Sequence, residues 1–247
     1  MEKKNNNPPN VVSVENEVKS ITKKEKWTEI EIITGLLNTF TNGFNRIGTF
    51  TRKEDNETEY IWLLLTTRCF NSMMCAYHLM YSGYYSQATI IIRSITEDIL
   101  ICMACPTDKS IRNYILSGKG KQPNYHLIAK NNNASKVYDM YKHQCKFAHS
   151  SRLSLGVLID KGNAKIAPVY DKILFNYCLE AFICTSVMMV EYLGRVIFYI
   201  DQNKAKSFNN DSANNLVRAT DWLGAISKQY GNETNKAKNQ SRKEQKT

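Results

Sequence analysis

Proline and glycine are scarce in this chain, five and eleven among 247 residues. They cluster between periodic stretches, so long helices are expected rather than many short strands. A glycine-rich phosphate loop, a Gly-x-Ser-x-Gly elbow and a His-Glu-x-x-His pair are all missing. The common signatures of nucleotide hydrolases, serine esterases and zinc proteases go with them. A secretory leader is not expected, because the first apolar stretch follows a lysine- and asparagine-rich start without an apolar leader core. The longest uncharged apolar run of the late helix, residues 181–190, lies between Glu180 and Glu191. It falls far short of the roughly 20 residues of a spanning helix, so no membrane partner is expected. Seven cysteines, an odd number scattered over apolar faces, suggest reduced thiols and a cytoplasmic protein.

What the chain does have is enough length for one domain of about 200 residues with tails, which needs no covalent staples. Hydrophobic residues make up 43%, an ordinary globular share. The formal charge is +10; residues 228–247 carry +4 of it and residues 1–26 carry +2, leaving +4 for the stretch between. A basic tail can hold phosphates by releasing counterions. A lysine- and asparagine-rich tail can equally be plain solvated chain.

Between residues 27 and 50 the apolar positions Ile30, Ile33, Leu37, Phe40, Phe44 and Ile47 recur at steps of three and four, the pattern of an amphipathic helix. Further helices are expected over 58–81, from about 84 to before Pro106, and over 109–116, 134–149, 170–200 and 214–230. The Ser82-Gly83 turn makes the second and third of these antiparallel neighbours. Isoleucines cover nearly every face of the third, which suits the middle of a bundle. Residues 117–124 read as a loop, and 155–170 as a small β-hairpin or an irregular excursion. The expected fold is all-α, an antiparallel helical bundle of about six or seven helices. Residues 1–26 are expected as a disordered head, 27–230 as a single bundle domain and 231–247 as a disordered basic tail.

Two stretches carry chemistry. Arg93 and Glu97 lie one turn apart on the oily third helix, where charges are costly unless paired. Either the guanidinium holds a phosphate or carboxylate, or the two form an architectural ion pair. On the later helix Tyr138, Tyr141, Cys145 and His149 form a stripe at steps of three, four and four, so an inward His149 beside Tyr141 is expected. Such an imidazole acts as a general acid or base near neutral pH, or sits as a satisfied core histidine. His143 is expected to face out. Cys102-Met-Ala-Cys105 has a metal-like spacing, but Cys75 and Cys102 lie at very different distances from the Gly83 turn, so no structural zinc is expected. Tyr77, Tyr81, Tyr84 and Tyr85 either stack on bases or pack at the rim of the bundle.

Gly83, Ala88, Arg93-Ser94 and Glu97, followed by Tyr141, His149 and Ser151, resemble the shared pattern of a large group of bacterial helical proteins known only as a domain of unknown function. The resemblance covers roughly residues 60 to 200. That group is in turn similar to HEPN domains, helical bundles that often dimerise and frequently act as metal-independent ribonucleases in defence systems. The HEPN signature is an arginine and a later histidine with four to six residues between them. Before His149 this chain has Lys142, His143 and Gln144 at those positions. The resemblance therefore implies one of two things. Lys142, His143 or Arg93 supplies the cation of a ribonuclease, or the module binds or dimerises without cleaving. On the first, the candidate catalytic residues are His149, Arg93, Glu97 and Tyr141. The expected partners are RNA, a protein or a second copy, with neither cofactor nor metal.

Overall fold

The computed structural model describes residues 10–120, 122–148, 159–160, 163–164 and 168–244. Nine α-helices lie among them: α1 (Val11–Glu25), α2 (Trp27–Ile47), α3 (Glu57–Tyr81), α4 (Tyr85–Ala104), α5 (Lys109–Ser117), α6 (Tyr125–Asn131), α7 (Ser135–Ala148), α8 (Lys172–Ile200) and α9 (Gln202–Glu244). The only β-structure among the described residues is a two-rung antiparallel ladder pairing Ile159 with Ala164 and Asp160 with Asn163. The fold is an all-α bundle.

The α3–α4 hairpin sets the register of the site. Gly83 lies just past the end of α3 with φ of 85°. The Tyr84 amide donates to the Leu79 carbonyl at 2.8 Å and the Gly83 amide to Met80 at 3.2 Å, the two bonds that close a helix C-terminus on a left-handed residue. A Cβ on Gly83 would stand 2.5 Å from the Val169 carbonyl oxygen, so both the angle and the space demand glycine. The Asn131–Asn133 break works the same way. Asn133 takes φ of 53°, and the Ala134 amide reaches the Ala129 carbonyl at 2.8 Å, which turns α6 into α7.

Helix α8 runs through the core, touching α2, α3, α4 and α9. Asp171 caps its start by accepting from the Ile173 and Leu174 amides at 2.9 and 3.0 Å. By length and mean hydropathy (1.7) this helix could cross a membrane, a property overlooked when only its uncharged run is counted. Four neighbouring helices suffice to bury such a face in a bundle, and Glu180, Glu191 and Arg195 interrupt it. Gly43 of α2 lets α8 come close: a Cβ there would meet Leu193 at 2.5 Å.

Both ends depart from expectation. Residues 11–25, expected as disordered head, form α1, which buries Val18 and Thr22 and leads into Lys26, itself only 2% exposed. Lys26 Nζ donates to Glu29 at 3.0 Å and to Asn176 at 2.5 Å and lies 5.4 Å from the Phe175 ring. Two buried residues among many polar ones leave almost no periodic trace. At the other end α9 begins at Gln202, not near 214, and continues through Glu244 across the expected tail. Asp201, which breaks α8, caps it by accepting from the Asn203 and Lys204 amides. The α6 helix, with only Ile128 and Ala129 buried, is too short to show a period.

Candidate functional site

The site lies where α4 faces α7, with α3 and α6 on either side. The predicted Arg93–Glu97 pair exists, but it is long and open. Arg93 Nη2 stands 3.9 Å from Glu97 Oε1, with the two side chains 25% and 22% exposed. The other guanidinium contact is Nη1 to Cys145 Sγ, also at 3.9 Å, and Nε is buried without any acceptor. Among the described residues its five N–H donors have only two long, weak contacts. Burial works against the Arg93 cation, but Cys145, Glu97 and Tyr141 outweigh it and raise its pKa. Tyr141 joins the group through a hydrogen bond with Cys145. Burial first, then that bond, raises its phenol pKa, so Tyr141 keeps its proton and is a donor rather than a base. His149 lies outside the described residues.

The face that α7 turns inward differs from the predicted stripe. Tyr138, Tyr141 and Cys145 are half-buried, whereas Gln144 is only 1% exposed. Thr96 of α4 donates to its Oε1 at 2.8 Å, and its Nε2 has no acceptor. The inward line is Ala134, Val137 and Gln144, one position off the tyrosines. Aromatic spacing marked a helix face correctly but not which neighbour would cover it.

Sequence reasoning missed the strongest ion pair. Arg68 of α3 donates through Nε to Asp98 Oδ2 at 2.9 Å and through Nη2 to Oδ1, a two-pronged grip. The Asp98 side chain is 3% exposed and that of Arg68 59%. Burial drives the Asp98 pKa up to about 6 despite the guanidinium, because water screens the exposed cation. A signal was available. Arg68 and Asp98 are equally distant from Gly83, fifteen residues on either side, and two antiparallel helices meet at equal distances from their turn.

Of the four tyrosines singled out from sequence, Tyr77 and Tyr81 pair on α3 at 5.8 Å. Tyr85 is buried, its hydroxyl accepting from the Asp171 amide at 3.3 Å and its ring edge-on to Phe175. Another strip lies on α6 and α7, its His126 exposed and its three tyrosines half-buried: His126 to Tyr138 at 5.2 Å, Tyr138 to Tyr141 at 5.9 Å, Tyr141 to Tyr125 at 5.4 Å. Lys142 Nζ lies 5.3 Å over Tyr138 and pairs with Asp139 at 2.7 Å. Lys130 and Lys142 border a cleft of ≈ 500 Å³ between these helices. Burial, then Glu97 and Asp98, pushes the Tyr125 phenol up to about 12, so this ring too is neutral at physiological pH. Periodicity could not find the strip, because its rings come from two helices joined by a turn at Asn133.

No family model, curated protein or solved structure matches the chain.

Proposed function

We propose that this chain is a HEPN-like helical module that works by binding, and that its α6–α7 face takes single-stranded RNA. The observation that carries the reading is the strip of four rings with two lysines beside it and the under-bonded Arg93 at its inner end. Unstacked bases pair their faces with such rings, each worth about 1–3 kcal/mol. The lysines and Arg93 meet the phosphates, Arg93 exchanging two 3.9 Å contacts for charge-assisted bonds. RNA rather than DNA follows from the resemblance.

The test is fluorescence anisotropy with a labelled single-stranded RNA of about 12 nucleotides, titrated between about 50 and 200 mM salt. Binding should weaken steeply with salt, and Tyr138→Ala should weaken it roughly five-fold or more with an unchanged melting temperature. Wild-type protein that binds no RNA, or a Tyr138→Ala variant that binds as well as wild type, rejects the reading.

One observation favours cleavage as a second reading. Tyr141 contacts Cys145 and Cys145 contacts Arg93, and in sequence His149 follows Cys145 at the same step of four. In that case His149 takes the ribose 2′-hydroxyl proton and Arg93 stabilises the charge on the reacting phosphate. RNA should then be cut without metal, and His149→Ala should abolish cutting while leaving RNA binding. Absence of cutting by the wild type leaves binding as the activity.

A further inference from the structure

Among the described residues helix α8 packs against α2, α3, α4 and α9 and leaves a face open between α3 and α9. Between α3 and α9 its residues Val187, Val190, Gly194 and Phe198, spaced by three, four and four, form the floor of an open trough of ≈ 960 Å³. Trp62 of α3 walls one side and Phe208 of α9 the other. Phe198 and the adjacent Tyr199 are 57% and 45% exposed. The floor spans about 16 Å at 1.5 Å per residue, the length of three helical turns.

Gly194 indicates how closely an occupant approaches. Mid-helix glycine costs about 1 kcal/mol relative to alanine, and at Gly43 the close approach of Leu193 explains it. At Gly194 nothing among the described residues does: a Cβ would meet Phe208 at an ordinary 3.6 Å. The missing side chain keeps the trough open for another backbone.

The rim selects charge. Glu59 and Glu191 border the trough, and Asp55 joins Glu59 near the Tyr199 hydroxyl. The opposing cation is Arg195, which lies over Trp62 and Tyr192 and pairs with Glu191 at 2.6 Å. Among the described residues lining the trough, two carboxylates stand against one guanidinium, with Asp55 close by, an acidic edge in a chain of net charge +10.

We propose that this trough seats an amphipathic helix of a partner protein, its apolar stripe on Gly194 and Phe198 and its flanks basic. The mode is helix-in-groove recognition, on residues distinct from those of the α4–α7 site and so separable from RNA binding.

The probe is an amidated helix of about 15 residues, leucines at positions three and four apart and arginines on both flanks, titrated calorimetrically into the full chain. The arginine peptide should bind, and its counterpart with glutamates for arginines should bind at least about ten-fold more weakly. Gly194→Leu should lower the affinity by a similar factor without lowering the melting temperature. Should that variant fail to fold, the double variant Glu59→Arg, Glu191→Arg should instead reverse the preference toward the glutamate peptide. Equal binding of both peptides, or no binding of either, overturns the proposal. So does a sedimentation dimer that Gly194→Leu dissociates, which would make the occupant a second copy.

Discussion

Asp98 links a buried carboxylate to measurable stability. Its side chain is 3% exposed, Arg68 is its one ion-pair partner among the described residues, and Glu97, Tyr125, Cys69 and Cys102 are its other titratable neighbours. Burial raises its pKa from 3.8 to about 6. Below about pH 3 the carboxyl is protonated in folded and unfolded chains alike and contributes no pH dependence. Between 3.8 and 6 the folded protein keeps a proton that the unfolded chain has lost, so stability falls as pH rises. Above 6 the loss is complete. Two pKa units at 1.36 kcal/mol each make it about 3 kcal/mol. Asp98→Asn keeps the shape and removes the charge, and the exposed Arg68 head is left to water. Urea unfolding of both proteins at pH 4 to 7 and constant ionic strength, followed by helical circular dichroism, isolates the group, since every other carboxylate cancels in the difference. The variant should gain about 2 kcal/mol on wild type between pH 4 and 7, since part of the loss is already present at pH 4. A difference that stays flat, or moves the other way, refutes the reasoning and would mean that the Arg68 grip outweighs burial.

The remaining predictions concern the turn and the open pair. Gly83→Ala must force a Cβ to 2.5 Å from the Val169 oxygen at φ of 85°; it should destabilise by about 2–4 kcal/mol, and a loss below about 1 kcal/mol would show that the turn relaxes freely. Arg93→Met removes a partly screened pair at 3.9 Å and an equally long contact to Cys145, so thermal unfolding should shift by the equivalent of about 1 kcal/mol or less. A loss of about 3 kcal/mol or more would make Arg93 architectural, as for a broken buried pair.

Local spacing decided much of this protein before any packing. The steps of three and four over α2, the isoleucines of α4 and the glycine past α3 determine three helices and one turn, because a helix places residues four apart on one face whatever lies around it. The Arg93–Glu97 neighbourhood is legible for the same reason, and so is the proximity of Tyr141 and Cys145. The Arg68–Asp98 grip was half legible: equal distance from Gly83 aligns the two, but their burial depends on the helices around them.

Only the tertiary structure decided which faces are covered. It left Arg93 a quarter exposed and under-bonded, turned Gln144 inward in place of the tyrosines, joined rings from α6 and α7 into one strip, and kept the trough over α8 open. The physical reason is that periodicity states only that a helix has an apolar side. Whether that side meets a neighbour or water depends on the register and number of the helices around it, which are set by contacts between residues far apart in the chain.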